Sequence, residues 1–191
     1  PTYNWIDVSS NGTTWNTSSD YVTGPYNLGF KFFFYGEWYN QWWLGGDNGW
    51  FALDQPSTEY AWTPLPIPAG IIQGTMLSPF WKDLQLCDDS TISYKTIGNV
   101  PTLAFVIQYE NLQRFGSCGS GDSETYNFEI ILFEETGDIL FQYNNDFSNG
   151  DGSGSVSIGI QSSSELGLQY YYGNVTDLAD AQFSVRFYSP P

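Results

Sequence analysis

The chain has 191 residues, 41% apolar, 19% aromatic and only 14% charged, a composition that suits one large domain able to bury its own core. Five Lys plus Arg against 21 Asp plus Glu leave a net charge of −16, so nucleic acid and anionic membranes are not expected as partners. There is no histidine, which removes Ser-His-Asp and Cys-His relays and every imidazole metal ligand.

The chain opens without a basic stretch leading into an apolar one, and no apolar run reaches the ~20 residues of a membrane span. A mature chain or excised module with no membrane insertion is therefore expected. Asn11, Asn16 and Asn174 each head an acceptor pattern for glycosylation. Helical periodicity is almost absent, whereas period-two alternation recurs wherever the sequence turns apolar. Phe30, Phe32 and Phe34 form one such set, and Leu103, Phe105, Ile107 and Tyr109 a second. Later come Val156, Ile158 and Ile160, then Leu166, Leu168, Tyr170 and Tyr172, then Phe183, Val185 and Phe187. Each set is predicted to turn one apolar face to a shared core. Breakers at Gly24-Pro25, Gly45 to Gly49, Pro64 to Pro68, Gly98-Asn99 and Ser117 to Ser123 divide the chain into short strands. The expected fold is all-β: an antiparallel two-sheet β-sandwich, jelly-roll-like, forming a single domain over residues 1–191. Pro190-Pro191 reads as the start of a stiff linker.

The clearest local structure is a hairpin at Glu135-Thr136-Gly137-Asp138, where a two-residue turn would set Glu134 opposite Ile139 and Leu132 opposite Phe141. Tyr126, Phe128, Ile130 and Leu132 then share a face with Ile139, Phe141 and Tyr143, while Glu129 faces outward beside Asn144. Ile131 and Phe133 make the second face semi-apolar, so part of the hairpin is expected to be covered on both sides.

Cys87 and Cys118 stand in polar, loop-like contexts, where a disulfide between neighbouring loops is the expected reading and two unpaired thiols the alternative. Closing a loop of ~30 residues would be worth roughly 3–4 kcal/mol in the chain-entropy account. Structural calcium is the one cofactor considered, since the cation gathers six to eight oxygens. Asp83, Asp88 and Asp89 could contribute, as could the loop holding Asn144, Asn145, Asp146, Asn149 and Asp151; solvated turns are the alternative for both. Glu110 and Glu129 are the best-placed carboxylate pair for a glycosidase, but nothing in the sequence separates their acidities, so no catalytic residue is expected. Aromatic rings are the most informative feature, because they stack on sugars and make rigid contact surfaces. Trp38, Trp42, Trp43, Tyr60 and Trp62 are the candidate ligand-binding residues, with covered structural rings as the alternative. Trp42 and Trp43 are adjacent, so in a strand one must face away from the core. Tyr60 and Trp62, in a Pro-bounded loop, are favoured for exposure.

Several segments together resemble a secreted and cell-surface β-sandwich module of bacteria and archaea related to the nidogen-like extracellular domain. They are Tyr3-Asn4-Trp5-Ile6-Asp7-Val8, the strand Leu28 to Gly36, the turn Asp47-Asn48-Gly49-Trp50-Phe51, and Leu77-Ser78-Pro79-Phe80-Trp81-Lys82-Asp83-Leu84. Phe105 to Asn111, Glu134 to Tyr143, Val156 to Gln161 and Gly167 to Tyr170 complete the match, which spans nearly the whole chain. The resemblance implies an antiparallel sandwich without catalytic residues of its own. Two departures stand out: Lys82 follows Trp81 where similar modules often carry an acid, and the segment bearing the two cysteines looks private to this sequence.

The expected function is a non-catalytic extracellular recognition or adhesion module, engaging carbohydrate or another surface polymer through loop aromatics. The alternative is a self-assembling subunit of an extracellular filament or surface layer. Its partners would be copies of itself, because the Phe30 to Phe34 strand carries little of the charge that blocks edge pairing.

Overall fold

A computed structural model describes residues 2–119, 124–144, 154–178 and 182–189. The strands are β1 (Thr13–Trp15), β2 (Val22–Phe34), β3 (Glu37–Gly45), β4 (Phe51–Ala52), β5 (Met76–Trp81), β6 (Leu84–Gln85) and β7 (Thr91–Ile97). They continue with β8 (Ala104–Arg114), β9 (Tyr126–Phe133), β10 (Ile139–Tyr143), β11 (Ser155–Gln161), β12 (Gly167–Asn174) and β13 (Phe183–Phe187). Among the described residues these form a seven-stranded sheet, β1-β7-β8-β9-β10-β13 with β6 paired to β8, and a six-stranded sheet, β12-β11-β5-β4-β3-β2. All the ladders are antiparallel, and the chain crosses between the sheets rather than staying in one. The result is the expected two-sheet β-sandwich.

The alternation seen in the sequence builds the core. Phe30, Phe32 and Phe34 of β2 face Phe105, Ile107 and Tyr109 of β8 and Phe128, Ile130 and Leu132 of β9 within one cluster between the sheets. Burial at roughly 25 cal/mol per Å² of apolar surface makes this layer the main source of stability. The loop Asp47-Asn48-Gly49 closes one end. Gly49 has φ +71°, and a Cβ there would lie 2.1 Å from the Phe80 carbonyl oxygen, so the close approach requires glycine. Asp47 accepts hydrogen bonds from the Ser18 hydroxyl, the Ser19 N–H (3.2 Å) and the Leu86 N–H (3.2 Å), tying three loops together.

Three expectations are corrected. The β9–β10 hairpin pairs Leu132 with Ile139 and Ile130 with Phe141, two residues away from the expected register. A longer loop is the cause: Phe133 closes on Asp138, and Gly137 turns the chain at φ +69°. Because the offset is even, the core face keeps its expected members. Secondly, Leu166, Leu168, Tyr170 and Tyr172 are exposed rather than buried. β12 is an edge strand, and a register shift at Ile158/Gly159 sets Tyr171, not Tyr170 or Tyr172, opposite Ile158, where it packs on the core.

The third concerns Glu129, which is fully buried rather than outward-facing. The N-terminal segment lies across β8, β9 and β10 and covers it. Gln108, Glu129 and Gln142 stand opposite one another on the three strands and act as a row of side-chain acceptors. Gln142 Oε1 receives the Asn4 N–H at 2.7 Å, Glu129 the Ile6 N–H at 3.2 Å, and Gln108 Oε1 the Val8 N–H at 2.7 Å. Ile6 and Val8 then pack with Ala104, Val106, Ile131, Leu140 and Phe133, so the hairpin is covered on both sides as expected.

Candidate functional site

The exposed aromatic surface is carried by the segment between β4 and β5. Trp50 and Trp81 are fully buried, and both indole N–H groups donate to the carbonyl oxygen of Ala61, at 3.1 and 2.9 Å. Two tryptophans thus hold one peptide from behind, and the residues on either side of it, Tyr60 and Trp62, turn outward at 44% and 40% exposure. Their rings stack with centroids 4.8 Å apart and planes 15° from parallel. Tyr21 meets Tyr60 edge-on at 6.1 Å, and the two residues form a backbone bridge that continues into Val22 N–H donating to Glu59 O at 2.8 Å. The Thr58 hydroxyl donates to Tyr60 O at 2.6 Å and closes the turn. A cavity of about 380 Å³ lies along this loop, with Ile71 forming its far wall.

A second cavity, of about 640 Å³, meets the first at Thr63 and is lined by Lys82, Asp83, Arg114, Phe115 and Tyr172 among others. Its walls are set by the same turn that places Trp50: Asn48 O accepts the Lys82 N–H at 3.2 Å and Asn48 Oδ1 the Leu84 N–H at 3.3 Å. β6 pairs Leu84 with Arg114, and the Phe115 N–H donates to Asp83 O at 3.1 Å. A Cys87–Cys118 disulfide clasps the loops that follow β6 and β8, as the sequence led us to expect. Burial raises the Asp83 carboxyl pKa and the nearby Asp20 charge raises it further, while Lys82 pulls it back down.

The other candidates are dispersed. Trp42 is fully buried and is no ligand surface: strand alternation points it into the core, against Trp15, Tyr26, Phe51, Tyr94 and Phe105. Trp43 faces the other way but is half-buried, its ring lying beside Gly24. Trp38 is well exposed and packs on Phe33 instead of joining the Tyr60–Trp62 pair. Asp88 and Asp89 lie exposed in a turn while Asp83 is half-buried in the second cavity, and among the described residues no three acids converge as a metal site. Of the second calcium candidate, Asn145, Asp146, Asn149 and Asp151 lie outside the described residues, as do Pro190 and Pro191. Asn11, Asn16 and Asn174 are all exposed. Glu129 sits beneath the N-terminal segment and forms no open cleft with Glu110. Sequence reading did not single out Tyr21, Ile71 or the anchoring role of Trp50 and Trp81, since an indole holding a carbonyl twenty residues away leaves no local pattern.

A disulfide-clasped antiparallel sandwich presenting rings from a loop is a module of extracellular type. The family model described as NIDO related matches residues 1–187, and the chain belongs to that family. This agrees with the nidogen-like resemblance. Among the described residues no helix is long and apolar enough to cross a membrane. Comparisons with curated proteins and with solved structures find no match.

Proposed function

We propose that the chain is a non-catalytic recognition module of a secreted or cell-surface protein, binding carbohydrate on the Tyr60–Trp62 surface. The observation that carries this reading is an exposed ring pair, stacked face to face and held in place by two buried tryptophans. Flat ring surface fixed before binding suits the C–H face of a sugar, because little conformational freedom is lost when the ligand arrives. The test is retention on immobilised polysaccharides. Wild-type protein is expected to be retained and Trp62→Ala to lose about tenfold or more in affinity, a typical loss for a binding aromatic. A wild-type chain retained by no polysaccharide would refute the reading.

The second reading, self-assembly, is favoured by β12. This edge strand has no charged residue over Gly167–Asn174 and exposes Leu168, Tyr170 and Tyr172. Light scattering across a wide concentration range, with and without calcium, separates the two: a monomer throughout removes this second reading.

A further inference from the structure

We infer that the sugar recognised on the Tyr60–Trp62 surface carries a protonated amine: a glucosamine-type unit lies on the rings, and its ammonium is received by Glu59. This rests on the carbohydrate-binding reading above and names its substrate class.

The charge that borders the rings is what points there. Of the residues lining the cavity of about 380 Å³ beside Tyr60 and Trp62, Glu59 alone is charged, and it is exposed. Among the described residues it takes part in no ion pair. Its place next to the rings is fixed through the backbone: Glu59 O accepts the Val22 N–H at 2.8 Å, and the following residue, Tyr60, bridges to Tyr21. A carboxylate held there favours a ligand that brings a positive charge and disfavours an anionic sugar. The rings act in the same direction, because the face of a Tyr or Trp attracts a cation as well as the C–H face of a pyranose. Tyr60 and Trp62 stack while the exposed Tyr21 stands at 90° to Tyr60, so ring surface is offered in two orientations beside the carboxylate. The Ser57 hydroxyl, on the same cavity wall, accepts the Gln73 N–H at 3.0 Å and keeps its own proton to donate to a sugar hydroxyl. At longer range the net charge of −16 draws a cationic polymer in and repels an acidic one. A basic peptide would satisfy the carboxylate but not the flat ring faces, and a neutral glycan the rings but not the carboxylate. An amino sugar satisfies both.

The probe is the β-1,4-linked glucosamine hexamer compared with cellohexaose, which has the same backbone with a hydroxyl in place of each amine. The assay is run at about pH 5.5, where amines are protonated and exposed carboxylates ionised. Salt of about 0.15 M screens charges more than roughly 8 Å away, so the preference that remains is local. The glucosamine hexamer is expected to bind about fivefold to tenfold tighter, as one exposed ion pair and one exposed cation–ring contact would give together. Glu59→Gln should remove most of that preference and leave cellohexaose binding unchanged, whereas Trp62→Ala should weaken both. Glu165→Gln, an exposed acid that does not line the cavity, removes the same charge from the mean field and should keep the preference. Equal binding of the two hexamers overturns the inference and leaves the recognition reading standing. So does a Glu59→Gln variant with the wild-type preference, or one no different from Glu165→Gln. An oligolysine bound as tightly as the glucosamine hexamer also overturns it, in favour of a basic peptide. If neither hexamer binds, the inference falls, and retention on the other immobilised polysaccharides decides whether the carbohydrate reading falls with it.

Discussion

Glu129 holds a carboxyl group among donors in a place that water does not reach: the Ile6 N–H lies within 3.2 Å of one oxygen and the Gln142 amide within 2.5 Å. Burial raises its pKa to about 8, against the partial opposition of these two hydrogen bonds. The folded pKa thus stands above that of the unfolded chain, and the sign follows: this contribution to stability is complete below pH ~4.5 and is lost as pH rises through about 8. Each unit of displacement corresponds to about 1.4 kcal/mol, so even part of the shift gives a measurable slope. Thermal melting of wild-type protein and Glu129→Gln from pH 5 to pH 9 should show the wild type losing stability relative to the variant at the alkaline end. Parallel curves would show that the site is wetter than its burial indicates. Trp81 acts at a distance in a different way. Trp81→Phe keeps an aromatic ring at this buried position but removes the indole donor to Ala61 and leaves part of the bicyclic ring's space empty. It should cost about 1–2 kcal/mol in stability and weaken sugar binding severalfold with Tyr60 and Trp62 untouched, which chemical denaturation and the polysaccharide assay would read separately.

Among the elements, what could be foreseen divides cleanly between parity and register. The β9–β10 core face was foreseeable because alternation alone sets which residues share a side. Its register was not, because the loop closes at Phe133 and Asp138 and is held by Arg186 and the Ser189 N–H on the Asp138 carboxylate, contacts some fifty residues away. The same distance hid the cover over Glu129. A row of Gln, Glu and Gln reads as a solvated face, and only a segment a hundred or more residues upstream turns it into an interior. At β12 a bulge defeated the alternation rule, and the consequence is a strand that shows rings to solvent along an unpaired edge. Replacing Tyr170 by Lys should place a charge on that edge without disturbing Tyr171, which faces the core. Light scattering at high concentration should then show any wild-type self-association abolished by Tyr170→Lys, with an unchanged melting curve. Asn174 is exposed at the end of the same strand, so a glycan there would oppose edge pairing, and a glycosylated monomer would count for recognition over assembly.

For the whole molecule, the decisive balance is between a large uniform negative charge and a few local devices that resist it. A net charge of −16 on a chain of 191 residues stores repulsion that folding must overcome, and the aromatic core between the sheets is what opposes it. The Cys87–Cys118 disulfide lies outside that core, so its two roles can be separated. As a cross-link 31 residues apart it restricts the unfolded chain, worth roughly 3–4 kcal/mol at most. As a clasp it holds the Arg114–Phe115 rim against the Lys82–Asp83 turn, with the β6–β8 pair and the Phe115 N–H as its partners. The Tyr60–Trp62 rings have their own anchorage on Trp50 and Trp81, independent of either cysteine. A Cys87→Ser, Cys118→Ser double variant should therefore fold with both sheets intact and unfold at lower denaturant concentration. It should keep its affinity for polysaccharide, because the ring anchorage does not pass through the disulfide, and retention on the immobilised polymer reads this. Loss of that affinity with both sheets intact would mean that the two cavities are mechanically one, and that the clasp supports the rings as well as the Arg114–Phe115 rim.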